Sequence, residues 1–112
     1  MKALRIDTDG KMQAVNIAGN TVSDQNDSIY ELLDGYFDIV RLGADAAMLV
    51  DDEGLLKGLP ENKMAMMIAD YPMLVGTALI VGVMGTYDGD VFCDCPERFL
   101  RFADRVRQIK EK

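Results

Sequence analysis

An α+β domain with a mainly antiparallel sheet is the fold that this 112-residue chain predicts, and three observations predict it. β-Rich runs come in pairs separated by short turns bearing Gly and Asp, as hairpins do. Segments with helical apolar spacing follow those pairs instead of alternating with single strands, which gives the order ββαββαβ(β)α and argues against a doubly wound parallel sheet. Residues 78–84 carry no polar side chain, as a central strand covered on both faces requires.

The elements follow in order. Residues 3–7 alternate, with Leu4 and Ile6 on one face and Arg5 and Asp7 on the other, and Thr8-Asp9-Gly10 turns the chain into a partner strand, 12–17. Val15 and Ile17 are expected on its core face, and Gly19-Asn20 ends it. Ser23 or Asp24 is expected to cap a helix running through Leu33, because Ile29, Leu32 and Leu33 recur at helical spacing and Asp27 and Glu31 favour its early turns. Gly35 terminates it. Residues 37–42 and 46–50 make a second hairpin across Gly43-Ala44-Asp45.

The stretch from Leu49 to Asn62 changes period twice. Val50 ends an apolar run, Asp52-Glu53-Gly54 turns, Leu55-Leu56 is expected to resume the strand, and Gly58-Leu59-Pro60 breaks the chain before a helix over 61–70. On that helix Met64, Met67, Ile68 and Tyr71 share the face expected to be buried, and Pro72 stops it. Tyr87-Asp88-Gly89-Asp90 turns the 78–84 strand into Val91-Phe92-Cys93. Pro96 then opens a last helix whose apolar stripe is Phe99, Phe102, Ala103, Val106 and Ile109. The helices are expected on one face of the sheet.

With 49% apolar and 28% charged residues the chain reads as one folded domain, not as a disordered one. Its longest apolar run, 73–84, falls short of the roughly twenty residues that a membrane helix needs, so no membrane partner is expected. The N-terminus has no apolar signal core, and a cytoplasmic location is the expectation. Charge is uneven: residues 1–95 carry 6 Lys/Arg against 16 Asp/Glu, whereas 96–112 carry 6 against 3. Such an acidic body repels nucleic-acid phosphates, and direct nucleic-acid binding is not expected.

Three stretches carry a family likeness: Lys2-Ala3-Leu4-Arg5-Ile6-Asp7, the block running from Asp52 to Asn62 with its pattern G-x-x-K-G-L-P-x-N, and Gly76-Thr77-Ala78-Leu79-Ile80-Val81-Gly82. On these the chain resembles a bacterial and phage family catalogued as a domain of unknown function, of the 3846 type, over about residues 1–95. The resemblance implies an intracellular protein of bacteria or their mobile elements, an accessory factor acting on host proteins. It supplies no residue roles. Residues 96–112 stand outside it as an appended basic helix.

The chain has no histidine, which removes the commonest general base and metal ligand. Asp7 and Asp9, in Ile6-Asp7-Thr8-Asp9-Gly10, resemble in spelling the nucleophile loop of haloacid-dehalogenase-type phosphatases, yet they sit in a tight hairpin and read as a turn. Asp88 and Asp90 with Asp94 lack calcium-loop spacing and read as a solvated turn. Cys93 and Cys95 offer half a zinc site, but no histidine is present to complete it. Their Cα atoms, two strand steps or about 6.6 Å apart, stand at the edge of disulfide range, so reduced thiols are expected.

Two surface features remain. Arg98, Arg101, Arg105, Gln108 and Lys112 line up as one stripe on the last helix, either a cationic docking strip or pairing partners for the domain's own acids. Met66 points away from Met64 and Met67 and is the methionine expected to be left for solvent or a partner. The reading is a small acidic, non-catalytic accessory protein acting through protein contacts, without a cofactor. One version is mimicry of nucleic-acid charge. A divalent-metal hydrolase built from Asp7 and Asp9, with Asp88 or Asp90, is the alternative, and homodimerisation through the last helix or an open sheet edge is a third reading.

Overall fold

One long strand organises the sheet. The computed structural model describes residues 1–110. Its strands are β1 (Lys2–Ile6), β2 (Met12–Asn16), β3 (Phe37–Arg41), β4 (Ala46–Asp51), β5 (Ala78–Thr86) and β6 (Gly89–Cys93), and its helices are α1 (Val22–Leu33), α2 (Lys63–Ala69) and α3 (Glu97–Lys110). All pairings are antiparallel, in the order β2-β1-β5-β4-β3, with β6 also on β5. The first half of β5 lies between β1 and β4, and its second half pairs with β6 instead of β1. β6 therefore runs in line with β1. The join is explicit: the Lys2 amide donates to Asp94 Oδ1 at 2.8 Å and the Cys95 amide donates to the Lys2 carbonyl at 2.8 Å.

Both faces of this sheet are apolar. Leu4, Ile6, Met48, Val50, Ala78 and Ile80 pack with Ala65 of α2 and Ala103 of α3 on one side. Ala3, Leu49, Leu79 and Val81 pack with Ile29 and Leu33 of α1 on the other. The helices are thus not all on one face, as the sequence had led one to expect. With β4 and β5 apolar at every position that pairs them, a sheet covered on one side only would leave half of those side chains in water.

Other elements differ in detail. Thr21, not Ser23 or Asp24, caps α1, its Oγ1 accepting from the Asp24 amide at 3.1 Å, and Asp34 takes the left-handed C-cap with φ 57° ahead of Gly35. Val15 of β2 and Ile17 just beyond it pack on the same core, as expected, while Met12 is buried against the opposite one. Leu55-Leu56 does not resume a strand, because residues 52–58 are continuous turn. In α2 the buried face is Ala65 with Met64, Met66, Ile68 and Ala69 against the core, while Met67 and Tyr71 are exposed. Ile109, expected in the apolar stripe of α3, is also exposed, since the helix runs past the sheet it covers. Among the described residues no helix is long and apolar enough to cross a membrane.

Candidate functional site

The block that carries the family likeness builds two fastenings. Lys57 Nζ donates to Asp51 Oδ2 and to the Asp34 carbonyl, each at 2.7 Å, joining the turn to the end of β4 and to the C-cap of α1. The Asp51 side chain is 2% exposed, and its Oδ1 accepts from the Glu53 amide at 2.8 Å. The Asp51 carboxylate holds the Lys57 ammonium above its ordinary pKa. Asn62 closes the block. Its Nδ2 donates to the carbonyls of Ile6 and Gly76, both at 2.9 Å, and its Oδ1 caps α2 by accepting from the Ala65 amide at 3.1 Å.

Lys57→Met should destabilise the domain more than the double change Lys57→Met/Asp51→Asn, because the single variant leaves a buried carboxylate unpaired. Urea unfolding of the set checks this. A raised lysine pKa contributes stability that is fully present below the unfolded value of 10.5 and is lost as pH rises through the folded value. Wild type should therefore lose stability above pH 10.5 more steeply than Lys57→Arg, whose guanidinium stays charged.

Held at Asp51, Lys57 and Asn62, the chain between them is pushed outward. Leu55 and Leu56 stand 71% and 87% exposed. With exposed Ile39 from β3 and exposed Tyr71 and Met73 after α2, they line one groove of about 520 Å³ whose rim includes Asp38 and Asp52. Five large apolar side chains around one groove are unusual on the surface of a small protein. The sequence carried the sign, an apolar pair inside a turn with Gly54 and Gly58 on either side. Leu55-Leu56 has the local pattern of a strand, and that pattern masks it.

The residues singled out from sequence lie elsewhere. Arg98 makes a two-pronged contact with Asp45, both bonds at 2.7 Å, and stacks over Phe99 at 4.5 Å; the guanidinium holds the Asp45 carboxyl below its ordinary value. Arg98 is thereby spent within the domain. Arg101 and Arg105 are exposed and have no ion pair among the described residues, and Lys112 lies outside the described residues. The surface role expected of Met66 passes to Met67, because Met66 packs on the core and Met67 is the exposed one.

The four aspartates are not brought together. Asp7 pairs with Arg5 at 2.8 Å and Asp9 accepts from the Lys11 amide in its own turn, at the end of β1 that faces Ala78. Asp88 and Asp90 sit beyond Thr86 at the other end of β5, roughly 26 Å away by strand rise, and Asp90 faces Arg41 at 3.6 Å. Among the described residues no three Cys, Asp or Glu side chains converge as metal ligands. Both cysteines are free; burial raises the pKa of Cys93 and pushes the Cys95 thiol up to about 11, which keeps it protonated and unreactive at neutral pH. A larger cleft, about 570 Å³, lies between the β1–β2 turn and the end of α3. One of its cations, Arg107, is already committed to the Met12 carbonyl at 3.0 Å and to Asp104 at 3.4 Å.

A family described as a domain of unknown function, DUF3846, matches residues 1–107. No curated protein and no solved structure matches the chain. The family match runs through most of α3, so the helix that had been set outside the family lies largely within it. That agrees with the packing of Phe99, Phe102, Ala103 and Val106 on the core.

Proposed function

The chain belongs to the DUF3846 family, whose description names no activity, and we propose that it is a non-catalytic accessory protein that binds another protein through the groove between β3 and the 54–57 turn. The observation that carries this reading is the exposure of Leu55 and Leu56 beside Ile39, Tyr71 and Met73. Water contact at these side chains is unfavourable until a partner removes it. Asp38 and Asp52 on the rim, in a chain of net charge −7, favour a partner segment that sets basic residues beside apolar ones. Two free, high-pKa thiols suit a reducing compartment, and the proposal is of a cytoplasmic protein of bacterial or mobile-element origin.

Mimicry of nucleic-acid charge finds no support in the placement of the acids. Exposed carboxylates occur on α1, at 52–53, on the β5–β6 hairpin and on α3, and so do not form one strip. The hydrolase alternative has Asp7 and Asp9 together in the β1–β2 turn, but Asp88 and Asp90 stand at the other end of β5, and among the described residues no third carboxylate or thiol converges with Asp7 and Asp9.

The test is affinity capture from a bacterial host extract with wild type and the double variant Leu55→Asp/Leu56→Asp. Since both side chains are exposed, the variant should keep its unfolding midpoint to within about 0.5 kcal/mol. A partner retained by wild type and by Arg101→Glu/Arg105→Glu but lost on the leucine variant supports the reading. Equal retention on all three overturns it. Mg²⁺ or Mn²⁺ should leave the unfolding midpoint unchanged; a shift of several degrees would favour the hydrolase.

A further inference from the structure

We propose that two copies of this chain join edge to edge through β3, making one continuous antiparallel sheet. The argument starts with the backbone. The Leu42 amide donates to the Ala46 carbonyl and the Asp52 amide donates to the Tyr36 carbonyl, both at 3.0 Å, which sets the phase of the β3–β4 ladder. Antiparallel ladders alternate, so Asp38 and Val40 turn their backbone groups to β4, while Phe37, Ile39 and Arg41 aim theirs away from the sheet. None of these outward N–H or C=O groups has a hydrogen-bond partner among the described residues.

The opposite edge is treated differently. At β2 the outward Met12 carbonyl accepts from Arg107, and α3 packs alongside. No side chain among the described residues bonds an outward group of β3, and Ile39, in the middle of it, is 52% exposed. An edge in this state is a template for another strand.

The occupant is a second copy because β3 complements itself. Pairing centred on Ile39 sets Ile39 against the partner's Ile39, Phe37 against the partner's Arg41, and Asp38 against the partner's Val40. Arg41, which within one copy reaches the Ala44 carbonyl at 3.3 Å and Asp90 at 3.6 Å, exchanges those exposed contacts in the pair for the partner's Phe37 ring and the acidic turn at Asp52 and Glu53. β3 itself, Phe-Asp-Ile-Val-Arg, carries no net charge, so the net −7 of the chain is not concentrated at the junction. The two-fold axis of such a pairing runs normal to the sheet. It keeps α1 of both copies on one face and leaves both Leu55/Leu56 grooves at the same face margin. Asp38 and Ile39 belong to both surfaces, so the junction narrows each groove from its β3 side, whereas Leu55→Asp/Leu56→Asp leaves β3 untouched and should dimerise as wild type does.

Sedimentation and light scattering from about 10 µM to about 1 mM should show the 12.4 kDa chain passing to twice that mass. Ile39→Pro removes the central outward N–H together with the Ile39 side chain, at an edge position where proline is tolerated, and should weaken the dimer at least about tenfold without unfolding the monomer. Arg41→Glu, at an exposed site, should weaken it as well by setting a carboxylate against the acidic turn. Hydrogen exchange provides a reading that needs no variant: the amides of Phe37, Ile39 and Arg41 should gain protection with concentration. A monomer throughout the range overturns the proposal. So does a dimer indifferent to both variants, or one in which those three amides still exchange freely.

Discussion

Asn62→Asp should destabilise the domain by about 3 kcal/mol or more, although it replaces one atom by another of nearly the same size. The side chain is 1% exposed, and its amide nitrogen donates to two carbonyls, Ile6 in β1 and Gly76 just before β5. An ionised carboxylate at that position donates to neither and sets negative oxygen against both. The cap on α2 survives, since an Asp oxygen still accepts from the Ala65 amide. The loss therefore reports on the two carbonyls and not on the helix. Asn62→Ala removes the cap as well and should cost at least as much. In a domain of this size a 3 kcal/mol loss lowers the unfolding midpoint by about 10–20 °C, which a thermal scan by circular dichroism reads directly. If Asn62→Asp melted within about 2–3 °C of wild type, water would have to reach those carbonyls and Asn62 would not be what fastens them.

Gly82→Ala should cost about 2–3 kcal/mol, an unusual penalty for a single methyl group in a strand. Gly82 is where β5 leaves β1 and takes up β6, pairing with Ala46 on one side and Cys93 on the other. A Cβ there falls inside van der Waals contact with the Asp94 carbonyl oxygen and 2.7 Å from Cys93 Sγ. The sulfur can rotate away; the carbonyl belongs to a backbone held by the Cys95 amide bond to Lys2 and by the Lys2 amide bond to the Asp94 side chain. Relief thus requires parting β6 from the end of β1. Gly85, with no backbone within reach of an added Cβ, is the control position: Gly85→Ala should change stability by under about 1 kcal/mol. Chemical denaturation of the pair checks the contrast.

Much of the fold was legible because its signals are local. The alternation of Leu4 and Ile6, the turns at Thr8-Asp9-Gly10 and Tyr87-Asp88, and the stripe of Phe99, Phe102 and Val106 each declare their element within a few residues. The site was less legible. Leu55 and Leu56 look like strand to any local reading, and only the clamp of Lys57 on Asp51 and Asp34, residues supplied by β4 and the end of α1, turns them outward. Met66 and Met67 are adjacent on one helical turn, and which of them is buried depends on where the sheet lies, not on the helix. That Arg98 pairs with one of the domain's own acids was open to a sequence reading; that the acid is Asp45, fifty-three positions away and within 2.7 Å, only the fold decides.

By itself the sequence determined the class of fold, the number and order of its elements, the absence of histidine chemistry, and membership of one family, because composition, period and turn chemistry act over short distances along the chain. Tertiary structure alone decided that α1 covers the face opposite α2 and α3, that the conspicuous lysine and asparagine of the central block are fasteners, and that β3 ends the sheet with its outward backbone groups unmet among the described residues. Those outcomes depend on pairings between residues distant in sequence, and hydrogen bonds and burial are settled only when the partners arrive.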